Sequence, residues 1–210
     1  MTNNDCRFSV IMTVYDNARE LQEYLPAFLS QEYEPGYEVI VVDESSTDDT
    51  EDVLKLQKQD HPQLYTTFLP KPDRHVIRKK MALTIGVKAA KNEWVIMSDI
   101  HAAPLSALWL QELSEAIDET TEVMLGYFQK GGTKLQAFGT VEEASALIRK
   151  AERKKADGHK GSHLKYLRGK YDFIVVRKEK AHDVLKYYEE QIGKRHLIGL
   201  RLSVMCHNLH

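Results

Sequence analysis

The 210-residue chain predicts an α/β fold, a mostly parallel sheet with flanking helices followed by a small carboxyl-terminal α+β addition. Three observations carry this expectation. The short runs Phe8-Ser-Val-Ile-Met-Thr-Val-Tyr15, Val39-Ile-Val-Val42 and Trp94-Val-Ile-Met97 have the composition of strands buried on both faces. The segments between them carry helical spacing, so each unit reads strand, helix, strand. Each run also ends in an acidic turn, at Asp16, at Asp43-Glu44, and at Asp99-Ile100-His101. Ligands of parallel sheets sit at those carboxyl ends, and the layout is that of a nucleotide site.

After the first strand, Ala18 to Ser30 places Leu21, Tyr24, Leu25, Phe28 and Leu29 on one helical face, and Glu34-Pro-Gly-Tyr37 forms a turn. Thr47-Asp-Asp-Thr50 offers capping hydroxyls and carboxylates to a helix bearing Val53, Leu54 and Leu56. Leu64 to Leu69 reads as a third strand and Lys71 to His75 as a loop. A helix rich in Lys, Ala and Leu follows to about Lys91, with Ala82, Ile85, Ala89 and Ala90 available to pack on the sheet. Beyond Asp99, Pro104 to Ile117 is amphipathic, Glu122 to Tyr127 is a strand, and Lys130-Gly-Gly-Thr133 is a flexible turn.

From Val141 to Lys170 the chain becomes rich in Ala, Lys, Glu and Arg, with Gly158, Gly161 and Gly169. It reads as a helix and a mobile loop able to act as a lid, or as a solvated surface helix. Tyr171 to Val176 returns to strand, Lys180 to Gln191 to helix, and Leu197 to Met205 to a last strand. Residues 1–127 therefore hold the ligand-end motifs, and residues 128–210 form the rest of the same domain.

Lys plus Arg number 29 against 31 Asp plus Glu, a net charge of -2 that gives no electrostatic case for nucleic acid or an anionic membrane surface. Cys6 and Cys206 are too few for a disulfide framework, which suits a cytoplasmic location. Met1 to Asp5 carries no signal-peptide pattern, and no apolar stretch approaches the roughly 20 residues that span a bilayer. Any membrane association is expected to be peripheral.

Three segments, Phe8 to Ala18, Tyr37 to Glu51 and Arg78 to His101, together resemble the family 2 glycosyltransferases of GT-A fold, in that family's order and spacing. The resemblance spans roughly the first 115 residues. It implies a nucleotide-sugar donor, and the chemistry explains the residues: a base can stack on an aromatic ring, an imide needs an acceptor, and a diphosphate gains charge as the sugar leaves. Tyr15 is the candidate for base packing, with Thr13 and Asp16 bordering the same pocket. One of Asp43 and Glu44 is expected to accept from a uracil-type imide, although the family usually has two Asp here. Ser45, Ser46 and Asp48 are read as shaping the turn.

Arg78, Lys79 and Lys80 begin a helix whose amino terminus is expected at the ligand end. Arg78 falls where the family carries a phosphate-side Arg, while Lys79 and Lys80 read equally as phosphate ligands or as a solvated face. Asp99-Ile100-His101 stands where typical members have Asp-X-Asp, and the resemblance implies that Asp99 orients the ribose and a metal water and, with His101, holds a divalent ion, the other reading of His101 being a plain polar residue at a strand end. Nitrogen ligation favours Mn²⁺ over Mg²⁺. The family's general base comes from a Glu-Asp turn that this chain lacks, leaving Glu189, Glu190 and His196 as the nearest substitutes, with Asp183 a poorer one. The Gln-X-X-Arg-Trp signature of many processive members is absent. His207 and His210 are read as terminal, and His159 and His163 as part of the loop.

The leading expectation is an inverting transferase that moves a sugar from a nucleoside diphosphate, UDP by preference, to a glycan, glycolipid or other hydroxyl acceptor. Polysaccharide assembly is the family-level setting. A catalytically silent GT-A module binding nucleotide or a protein partner is the alternative. A nucleotidyltransferase is a weaker third, because Tyr15-Asp-Asn-Ala18 contains no glycine to cradle phosphates.

Overall fold

Strand β1 (Phe8–Val14) is buried at every position, and its place in the sheet explains why. It pairs in parallel with β2 (Tyr37–Asp43) on one side and with β4 (Trp94–Met97) on the other, while β2 pairs in parallel with β3 (Leu64–Phe68). A central parallel strand covered on both faces must be apolar throughout. The computed structural model describes residues 6–70, 78–129, 132–146 and 171–190. The remaining strands are β5 (Val123–Gln129), β6 (Gly132–Phe138) and β7 (Phe173–Arg177), and the sheet runs β3-β2-β1-β4-β7-β5-β6.

Helices α1 (Ala18–Leu29) and α2 (Thr50–Asp60) cover one face. There Leu21, Leu25, Phe28, Val53 and Leu54 meet Val10, Met12, Val39 and Val41. The opposite face belongs to α3 (Arg78–Ala89), whose Ala82, Leu83 and Val87 share a core with Ile11, Ile40 and Val42. Closeness of α3 to the sheet depends on Gly86: a Cβ there would stand 2.3 Å from Ile11 Cγ2. Burial pushes the Cys6 thiol above its ordinary range, as expected of an apolar filler.

After β4 the sheet changes character. Strand β7 pairs antiparallel with both β4 and β5, and β5 pairs antiparallel with β6, so the sheet is mixed. The carboxyl-terminal addition therefore enters the sheet between β4 and β5. Strand β6 lies where the sequence suggested only a turn, its Gly132 taking a φ of +137° that suits glycine. Helix α4 (Trp109–Glu115) is shorter than its amphipathic pattern, because buried Gln31 captures the segment before it. The Gln31 amide donates to Ser106 O at 3.0 Å and accepts from Leu110 N at 3.3 Å. These bonds replace the first helical turn.

Trp109 anchors an aromatic cluster with Phe28, Phe128 and Phe173, at centroid distances of 6.1, 6.0 and 5.0 Å. The Phe173 ring folds over its register partner Gly126, where an added Cβ would stand 2.0 Å from Cζ. A helix starts over 141–146 (α5), and α6 (Ala181–Glu190) packs against α3. Residues 147–170 of the helix and loop expected over 141–170, with His159 and His163, and the expected strand over 197–205, with His196, His207 and His210 near it, lie outside the described residues.

Candidate functional site

The chain climbs β1, crosses by α1 to β2 on one side, and returns through α3 to β4 on the other. A crevice at the carboxyl ends of β1 and β4 is the topological switch point of such a sheet. Ser98 N donates to Ile11 O at 2.9 Å, which carries the β1–β4 pairing to Ser98 and leaves Asp99 just past β4, at the same carboxyl end of the sheet as Thr13. Both residues are buried.

Asp99 is the centre of the site. Its Oδ1 accepts from the His101 backbone N–H at 3.2 Å and lies 2.8 Å from His101 Nδ1. Its Oδ2 faces Lys79 Nζ at 3.4 Å. The Asp99 side chain is 11 % exposed and that of Lys79 23 %, so the ion pair is shielded from water and screened less than a surface pair. A carboxylate on Nδ1 holds the imidazole proton there and turns Nε2 outward as a lone-pair donor. The His101 ring, 43 % exposed, lies 6.2 Å from the ring of Tyr24 on α1.

The β1–α1 turn and the β2–α2 loop form one braced unit. Asp16 Oδ1 accepts from Thr47 N at 2.6 Å, and Asp16 N donates to Ser46 Oγ at 2.9 Å. Ser46 in turn donates to Asp43 Oδ1 through its N–H at 2.9 Å and its hydroxyl at 2.6 Å. Asp48 Oδ2 accepts from Ala18 N at 3.0 Å, and Thr50 Oγ1 accepts from Asn17 N at 3.1 Å. Burial would raise the Asp48 carboxyl, but hydrogen bonds from Thr50 and Ala18 outweigh it and hold the group below the ordinary carboxylate range. Asp16 and Ser45 adopt left-handed φ values of +50° and +64°, each a strained position for a residue with a Cβ.

The expected site residues thus fall into three groups. Asp99 and His101 meet at the switch point, joined by Lys79, which the sequence left divided between phosphate and solvent, and Thr13 lies at the same carboxyl end of the sheet. Tyr15, 51 % exposed, and Asp16 stand on the β1–α1 turn, while Asp43 and Glu44 close β2, with Glu44 N donating to Val14 O at 2.8 Å. Asp43 spends Oδ1 on Ser46, so its role in the loop is partly structural. Arg78 is the first residue of α3, and its side chain lies outside the described residues. Glu189 and Glu190 are the last residues of α6, whose path beside α3 leads back toward the ligand end; their side chains also lie outside the description.

One residue was passed over in the sequence. Phe68, the register partner of Asp43, is 66 % exposed and lines a cavity of about 420 Å³ with Asp43, Ser45, Ser46 and Lys55. An exposed aromatic closing an edge strand at the acidic end was the available signal.

Among the described residues no cluster of three or more His, Cys, Asp or Glu is placed to hold a metal. Asp99 Oδ2 offers one carboxylate oxygen, while the His101 ring resting on Oδ1 through Nδ1 keeps its Nε2 on the far side. A divalent ion on Oδ2 would take its other ligands from a diphosphate and water, and from His101 only once its ring leaves Oδ1; the ammonium already resting on Oδ2 marks a position that attracts a cation. No helix among the described residues is long and apolar enough to cross a membrane.

This architecture is that of the GT-A glycosyltransferases, shared with a mannosyltransferase of Pyrobaculum calidifontis solved with GDP-Man and Mn²⁺. That match has a TM-score of 0.57 and 19 % identity, and covers 85 % of this chain but 46 % of the other. The glucosyl-3-phosphoglycerate synthase of Mycobacterium tuberculosis, solved with Mn²⁺, UDP and phosphoglyceric acid, matches with a TM-score of 0.57 and 16 % identity over 94 % of this chain and 68 % of that one. At such identities the likeness establishes the fold alone, and the chain spans about half the length of the mannosyltransferase. No curated protein matches it in sequence. The chain belongs to glycosyl transferase family 2, whose family model matches residues 9–182.

Proposed function

We propose that this chain transfers a sugar from a nucleoside diphosphate donor, UDP-linked by preference, to a hydroxyl acceptor with inversion and with the help of Mn²⁺ or Mg²⁺. The observation that carries the reading is the buried Asp99 at the switch point of a family 2 chain, flanked by Lys79 and His101. Nucleotide or nucleotide-sugar complexes of the two structural neighbours support it by analogy of fold.

Under this reading Tyr15 packs against the base, and Thr13 and Asp16 border its pocket. Asp43 Oδ2 or Glu44 accepts from the imide. Arg78 and Lys79 offset diphosphate charge, which grows as the anomeric C–O bond breaks. Asp99 and His101 would hold the metal, whose bound charge further stabilises the leaving diphosphate. Glu189 or Glu190 takes the acceptor proton as the new C–O bond forms on the opposite face of the sugar. The acceptor is a glycan, a glycolipid or another hydroxyl compound, reached in the cytoplasm or at a membrane surface.

Calorimetric titration with UDP in Mn²⁺, Mg²⁺ and chelator tests the donor site. Metal-dependent binding is expected, weakened about tenfold or more in Asp99→Ala, since that change removes a charged hydrogen-bond acceptor. Wild-type affinity in Asp99→Ala would sink the assignment. Release of UDP from UDP-sugars then separates a transferase from a silent nucleotide-binding module, which would bind without turnover.

A further inference from the structure

We infer that Lys79 is a built-in competitor for the metal position: its ammonium holds Asp99 Oδ2 when no donor is present, and binding of a divalent ion requires it to leave. The inference rests on the donor-site reading above and deepens it. Asp99 has two carboxylate oxygens. Oδ1 is committed on two sides, to the His101 N–H at 3.2 Å and to the His101 ring at 2.8 Å. Only Oδ2 is left to meet a cation, and Lys79 Nζ rests on it at 3.4 Å. Two cations cannot share one largely buried oxygen without strong repulsion, because the surroundings screen them poorly.

The geometry also gives the displaced ammonium somewhere to go. Lys79 sits in the first turn of α3, and its four-carbon stem can rotate its charge from the carboxylate toward a diphosphate. Lys79 therefore weakens binding of the metal alone and strengthens binding of the nucleotide. The donor site favours metal and diphosphate arriving together over the metal arriving first. Lys79 acts on the metal through Asp99 and is a positioning residue in that respect.

The test measures two affinities in the wild type, Lys79→Met and Lys79→Arg. Mn²⁺ alone is titrated by loss of the free-ion electron paramagnetic resonance signal, and UDP is titrated calorimetrically in saturating Mn²⁺. Lys79→Met is expected to bind Mn²⁺ alone about five- to tenfold more tightly, the scale of a partly shielded ion pair, and to bind UDP several-fold more weakly. Lys79→Arg keeps a competing charge and is expected to stay near wild type for Mn²⁺ alone. A merely structural role for Lys79 would move both affinities in the same direction. Unchanged or weaker Mn²⁺ binding in Lys79→Met overturns the inference, as does the absence of Mn²⁺ binding in every protein. If that happens while wild-type UDP binding still depends on Mn²⁺, the donor-site reading stands alone; if wild type binds no UDP, that reading falls as well.

Discussion

Replacing Gly86 with alanine tests how closely α3 must approach the sheet. The new Cβ would stand 2.3 Å from Ile11 Cγ2 and 3.5 Å from Val42 Cγ2. Carbon atoms settle at about 3.5–4.0 Å, so either α3 retreats by about 1 Å or Ile11 leaves its rotamer. Ile11 has no room to turn, being fully buried and paired with Ile40 and Met97. A clash this short belongs at the upper end of overpacking costs, about 3 kcal/mol. Alanine is the better helix former by about 1 kcal/mol, which leaves a net loss of about 2 kcal/mol. For a chain of this size the melting temperature is expected to fall by roughly 4–8 °C. The same retreat would open the 3.4 Å Lys79–Asp99 pair and weaken UDP binding. In an Ile11→Ala background the clash is gone, and Gly86→Ala should turn stabilising by about 1 kcal/mol. Thermal melts of the four proteins decide the matter. A single mutant that melts at or above wild type, or a cycle with no reversal of sign, refutes the close-approach argument.

Gly126→Ala places a Cβ inside the Phe173 ring, and urea unfolding should show a loss of about 3 kcal/mol; a wild-type midpoint would contradict the packing described. Arg177 stacks on Trp94 with 4.7 Å from Cζ to the ring centroid and reaches Glu93 at 2.9 Å and Thr121 O at 3.2 Å. Truncation to alanine should cost about 1–2 kcal/mol, and lysine should fail to restore it because a point charge cannot make the fork and the stack together. Asp48 titrates lower in the folded chain than in the unfolded one, so its contribution is complete above the ordinary carboxylate range and fades as pH falls through the folded value. The stability gap between wild type and Asp48→Asn should therefore shrink below about pH 4; denaturant midpoints across pH 3–6 would show a constant gap if the idea is wrong.

How much was legible in the sequence follows from which forces are local. β1, β2 and β4 announce themselves because burial on both faces demands continuous apolar runs, and the acidic residue closing each run marks the ligand end. Lys79 could not be assigned, since its partner Asp99 lies 20 residues away and only the α3–β4 crossover brings them together. The braces among Asp16, Ser46, Thr47 and Asp48 are invisible for the same reason, being bonds between two turns about 30 residues apart. β6 was missed because its residues are only half buried and its polar Lys134 and Gln136 blunt the alternation. Helix α4 was overdrawn because amphipathic spacing does not reveal a buried glutamine that takes over the first turn.

The place of β7 also bears on how the chain reaches its native state. Its two neighbours, β4 and β5, have no direct pairing, so each keeps an open hydrogen-bonding edge until Phe173–Arg177 arrives. All of residues 98–172 is synthesised in between. The nascent chain therefore carries two strand edges, on β4 and on β5, that wait for β7, the kind of surface on which misassembly begins and chaperones act. Closure of the sheet is a long-range event that should come late and limit the folding rate, so the half of the chain that holds the ligand-end motifs matures only when the other half completes it.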